Sequence, residues 1–121
     1  MPSEIRHLLF HESEVVSALA EFHRRAKDPL PSGTVVRFAL FDQPAVRVEI
    51  EIARDETGER RKGIVVEKER LAAALILHCK MKKIPLPASA IKVLRIVQNQ
   101  LALVVTIGAT PEEADKLGRT I

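Results

Sequence analysis

Tryptophan and tyrosine are absent from this 121-residue chain, and four phenylalanines, Phe10, Phe22, Phe38 and Phe41, supply its only aromatic rings apart from histidine. Few platforms are left for unpaired bases, which argues against single-strand nucleic-acid binding by stacking. The single cysteine, Cys79, rules out an intrachain disulfide framework and predicts a reducing, cytoplasmic setting. Long apolar runs are also lacking. Leu71 to Leu77 falls far short of the roughly 20 residues that cross a bilayer, and Ile5 to Phe10 is short and broken by Arg6 and His7, so neither a membrane span nor a secretory signal is expected. The glycines, Gly33, Gly58, Gly63, Gly108 and Gly118, are dispersed. There is no G-x-G-x-x-G, no Walker loop and no zinc-like Cys/His spacing, and no cofactor or metal is predicted.

What is present is enough apolar residue, 46% of the chain, to build the core of one domain spanning 1–121. The net charge of +3 conceals an asymmetry. Residues 1–60 hold 8 Lys/Arg against 11 Asp/Glu, whereas residues 61–121 hold 11 against 5. The basic second half offers an attraction for an anionic partner.

The second half also reads as a diverged copy of the first, displaced by about 56 residues. Lys27, Pro29, Leu30 and Pro31 return as Lys83, Pro85, Leu86 and Pro87, and Ala18 and Leu19 as Ala74 and Leu75. Ile5 to Phe10 suits a short strand. Ser13 is the expected N-cap of a helix running to about Lys27, with Val15, Leu19, Phe22 and Ala26 on one face. Pro29 and Pro31 end that helix and feed a strand over Thr34 to Phe41. In Ala45 to Ala53, Val46, Val48, Ile50 and Ile52 alternate with Arg47, Glu49 and Glu51, the pattern of a half-exposed strand. After the polar stretch Arg54 to Lys62 the series restarts: strand at Gly63 to Val66, helix from Glu67 to about Lys82, then strands at Ala90 to Val97 and Gln100 to Ile107. Thr110, Pro111, Glu112 and Glu113 predict a terminal helix over about 110–118. The expected fold is α+β: a tandem β-α-β-β repeat, with units about 4–53 and 61–109, forming a six-stranded, mostly antiparallel sheet with two helices on one face.

Differences between the copies direct the functional reading. At the constant displacement, Arg47, Glu49 and Glu51 align with Leu103, Val105 and Ile107, so a solvated face in one copy is apolar in the other. That face, Leu101, Leu103, Val105 and Ile107 with Val93 and Val97 on the neighbouring strand, is expected to be covered by the terminal helix or by a partner, and a second copy of the chain is the preferred partner. The almost wholly apolar run Leu71 to Leu77 points the same way.

Chemistry-bearing groups are few. His7, His11 and Glu14 have helical metal-ligand spacing but straddle a strand-to-helix junction. His23, His78 and Cys79 could approach one another if the two helices pair, yet His78 and Cys79 diverge by about 100° around their helix. No catalytic residue is assigned. The expected role is a small non-catalytic, cytoplasmic protein-binding or regulatory module, homodimeric, with a possible protein partner and no membrane. The alternative is nucleic-acid binding through Arg60, Arg61, Lys62, Lys80, Lys82 and Lys83, with steep salt dependence. A metal protein or enzyme ranks below both.

Overall fold

The structure, a computed structural model, describes residues 3–108. It is an α+β arrangement of six strands and two helices in the order β1 (Glu4–Phe10), α1 (Glu12–Arg25), β2 (Thr34–Phe41), β3 (Arg47–Ala53), β4 (Arg61–Glu67), α2 (Lys68–Met81), β5 (Ile91–Val97), β6 (Gln100–Ile107). The terminal helix expected over 110–118 lies outside the described residues.

Each half therefore has the expected strand, helix, strand, strand order, but the strands are shared between halves. β1 pairs antiparallel with β6, and β4 pairs antiparallel with β3, so each half lends its first strand to the hairpin of the other. The resulting sheets are β1-β6-β5 and β2-β3-β4, each three-stranded. This corrects the single six-stranded sheet. No ladder joins the two sheets, and β2, an edge of its sheet, pairs with β3 across an irregularity between Val35 and Arg37. Phe38 and Leu40 of β2 and Ile96 of β5 line one cavity with Phe10, Val15 and Leu101.

Both helices and the inner faces of both sheets share one core. Val15, Ala18 and Leu19 of α1 and Leu71, Ala72, Ala74, Leu75 and Cys79 of α2 meet Val48, Ile50, Ile52 and Val66 of one sheet and Phe10, Leu94, Leu101, Leu103 and Val105 of the other. α2 buries more of its surface than α1, in keeping with its apolar circumference.

Local chemistry explains most boundaries. α1 starts before Ser13, at an N-cap formed by His11, because the Glu14 carboxylate turns back to accept the His11 backbone N–H at 3.0 Å. The two helices end alike. Lys27 N–H donates to Arg24 O and Asp28 N–H to His23 O; 56 positions on, Lys83 N–H donates to Lys80 O and Ile84 N–H to Cys79 O. These are Schellman closures, and they place Lys27 and Lys83 in the left-handed region at φ 60° and 58°. A side chain there costs roughly 1–2 kcal/mol, partly offset by the greater chain entropy glycine loses. Lys27→Gly and Lys83→Gly are each expected to stabilise the protein by about 0.5–1 kcal/mol, read as a higher urea midpoint at unchanged slope. Gly33 is required for a different reason: a Cβ there would lie 2.1 Å from Ala53 O, where the chain leaving α1 passes the end of β3.

The hairpin turns within the two halves differ. β5 and β6 are joined by Gln98 and Asn99 alone, both at positive φ (50° and 63°), the two-residue turn whose twist suits a hairpin. β2 and β3 are joined by five residues, Asp42 to Val46.

Candidate functional site

That difference in turn length relocates the predicted interface. Phe10 stands opposite Leu101 in its sheet, and the matching Val66 stands opposite Val48 in the other. Val48 therefore corresponds to Leu101, Ile50 to Leu103 and Ile52 to Val105, a displacement of 53 in place of 56. A shift by an odd number of residues exchanges the two faces of a strand. Leu101, Leu103 and Val105 consequently point toward the helices and are 0%, 0% and 1% exposed, members of the core of the single chain. Ile107 packs partly against that same core, whereas Val93 and Val97 belong to the opposite face of the sheet. The six residues do not share one surface. The signal that would have shown this is the apolar alternation itself: Val48, Ile50 and Ile52 superimpose on Leu101, Leu103 and Val105 only if the shorter turn is allowed for.

The outward faces of the two sheets contrast residue by residue. On β2-β3-β4 that face is ionic. Glu51 receives Arg37 at 3.7 Å and Arg61 at 3.5 Å, Arg47 contacts Glu49 at 3.2 Å, and the Arg47 guanidinium lies 4.4 Å from the centre of the Phe41 ring. On β1-β6-β5 the positions equivalent to Arg37, Glu51 and Arg61 are Val93, Val104 and Ile5, and Glu49 is matched by Ala102. Ala102, Val104 and Thr106 are buried, with Leu9, His7 and Ile5 beside them on β1 and Arg95, Val93 and Ile91 beside them on β5. Along the β1 edge, Ile5 is 50% and Leu9 46% exposed. Neither was singled out as an interface residue in the sequence, because β1 is too short to display which face the chain itself covers.

The histidines disperse. His7 is on the outward face of β1, His11 caps α1 beside Gln100, and Glu14 is committed to that cap. His23 is buried, with Nδ1 2.7 Å from Leu19 O one turn earlier. His78 packs edge-on to Phe10, and its Nε2 lies 4.0 Å from a Glu14 oxygen. Cys79 is buried; desolvation, and then the Glu14 charge, push its thiol pKa up, the opposite of what a nucleophile needs. No group of three His, Cys, Asp or Glu positioned for a metal occurs among the described residues.

The basic residues divide between two surfaces. Arg61 belongs to the outward face of β4, where Gly58 O accepts from its Nε at 2.7 Å and Glu51 faces its Nη1. Arg60 immediately precedes that strand, and Lys62 is exposed at its start. Lys80, Lys82 and Lys83 are exposed at the C-terminal end of α2. They do not stand alone. Arg25 Nη2 approaches Met81 Sδ at 3.7 Å, and Arg24 and Lys82 line one cavity between the helices, so the end of α1 joins the same surface. There Glu21 is bound by both Arg24 and Arg25, whose hydrogen bonds hold its carboxyl down to about 2. A depressed carboxyl keeps its charge above the ordinary carboxylate range, so this tie is intact at neutral and mildly acidic pH and is lost as pH falls toward 2.

No helix among the described residues is long and apolar enough to cross a membrane. No family model, no curated protein and no solved structure matches the chain.

Proposed function

We propose that the protein is a small, non-catalytic, cytoplasmic protein-binding module that self-associates, two copies packing the outward faces of their β1-β6-β5 sheets against each other. The observation that supports this most strongly is the replacement of the ionic set Arg37, Glu51 and Arg61 in one sheet by Val93, Val104 and Ile5 in the other. Ala102, Val93 and Val104 are already buried in the single chain, at 0%, 4% and 7% exposure, so the part of the face offered to a second copy is its β1 edge, where Ile5 and Leu9 remain half exposed. With His7, Arg95, Gln100 and Thr106 as its polar side chains, the face carries little charge with which to select a charged partner. A second copy presents the same sparsely charged surface and forms an isologous contact between aligned sheets. The same reading takes the two halves as copies of one β-α-β-β unit, of which one kept a solvated face and the other acquired an interface.

Light scattering during size-exclusion chromatography across a concentration series tests the proposal. The expected result is a dimer at high concentration that Ile5→Lys with Leu9→Lys converts to monomer, by at least a 100-fold rise in dissociation constant. Both side chains are half exposed on an edge strand, so circular dichroism is expected to stay unchanged. A wild-type monomer at hundreds of micromolar, or a dimer indifferent to the two lysines, would overturn it.

A further inference from the structure

The last turns of α1 and α2 approach each other where Arg25 Nη2 lies 3.7 Å from Met81 Sδ and where Arg24 and Lys82 line one cavity with Glu21; Lys27, Lys80 and Lys83 are exposed in the same two helix ends, as is the carboxylate Asp28. We infer that this surface binds the phosphate backbone of double-stranded nucleic acid.

Three features support the assignment. Lysines at a helix C-terminus ordinarily serve the terminal carbonyls and the negative end of the helix dipole. Here backbone N–H groups already occupy His23 O and Arg24 O on one helix and His78 O, Cys79 O and Lys80 O on the other, so the ammonium groups are not needed as caps. Among the described residues, Lys27, Lys80, Lys82 and Lys83 have no ion-pair partner, unlike Arg24 and Arg25 with Glu21. The two ends are also equivalent segments of the two halves, meeting where Arg25 touches Met81, its counterpart 56 residues on. The cations therefore lie about an approximate two-fold relation, which the backbones of a duplex share.

The kind of partner follows from what the surface does not offer. Phe10 is buried and Phe22, Phe38 and Phe41 are half-buried, so bases have no exposed ring to stack on and single strands are disfavoured. Among the exposed large apolar side chains of the described residues, Met81 alone is on a helix, too little to enter a lipid surface. Lysine point charges on mobile stems suit phosphates read without regard to sequence. This surface is distinct from the outward face of the β1-β6-β5 sheet, and the inference stands independently of self-association.

Fluorescence anisotropy with a mixed-sequence 24-base-pair DNA duplex, from 50 to 300 mM salt, tests it. Four unpaired lysines predict a slope of log K against log salt of about −4. Lys80→Ala with Lys82→Ala is expected to make the slope shallower by about 2 and to weaken binding at least 10-fold at 50 mM salt. Glu21→Gln, which releases Arg24 and Arg25, should tighten binding and steepen the slope, a gain that unfolding cannot mimic. Arg61→Ser, on the far side of the molecule, is the control and should change neither. The inference is overturned if the duplex does not bind at 50 mM salt, if the lysine variant binds as wild type does, or if a polyglutamate peptide or phosphatidylserine vesicles bind more tightly than the duplex.

Discussion

Replacing Leu103 and Val105 together by glutamate is expected to unfold the protein. Both side chains lie on the inner face of the central strand of the β1-β6-β5 sheet, fully buried between β1, β5 and the helices. A carboxylate there has no cation and no backbone donor in reach of a regular strand, and burying it unpaired costs several kcal/mol, on top of the transfer energy lost with the leucine or valine. The whole stability of a domain of this size is about 5–15 kcal/mol, so two such changes exceed it. The milder Leu103→Ala leaves a cavity and is expected to lower stability by about 2–5 kcal/mol while the fold persists. Urea titration followed by circular dichroism reads both. A double glutamate variant that stays folded and merely becomes monomeric would show that these residues face outward, contrary to the register of β6 with β1 and β5.

Cutting the chain at Gly58 should give two fragments that are unfolded separately and fold on mixing. Residues 1–58 retain the β2-β3 hairpin and α1, but β1 has lost β6, its one ladder partner among the described residues, and β3 has lost β4. A two-stranded hairpin and one 14-residue helix are marginal in water. In residues 59–121 the same deficit holds, with β4 unpaired and β6 lacking β1. When the fragments are mixed, each first strand regains the hairpin of the other and the α1–α2 contact closes the core. Equimolar mixing should restore most of the wild-type circular dichroism and produce a 1:1 complex on a sizing column. If either fragment folds alone as a monomer, the exchange of first strands is not what makes the halves interdependent. The site of cutting is favourable, since Gly58 sits at φ 74° in an exposed link whose ends are joined by Arg54 N–H to Arg60 O at 2.7 Å.

The sequence alone determined the element order, and it did so because the relevant forces are local. Period-two alternation marks β3 and β6, the helical spacing of Val15, Leu19 and Phe22 marks α1, and the prolines after Lys27 and Lys83 place both helix exits close to where the structure has them. It also carried the insight that one last strand is apolar where its counterpart is charged. The faces were a different matter. They depend on pairing partners remote in the chain, and a five-residue turn in one hairpin against two in the other moves every later residue of the strand to the opposite side. No local signal states which strand receives β1 or β4, so the split into two sheets was decided only by tertiary structure. The same holds for the helix ends. Arg24, Arg25 and Lys27 read as an ordinary helix terminus in the acidic half, and they join Lys80, Lys82 and Lys83 only because the shared core brings α1 and α2 side by side. Propensity and periodicity act over a few residues, whereas surface charge and exposed apolar area are sums over segments that only packing brings together.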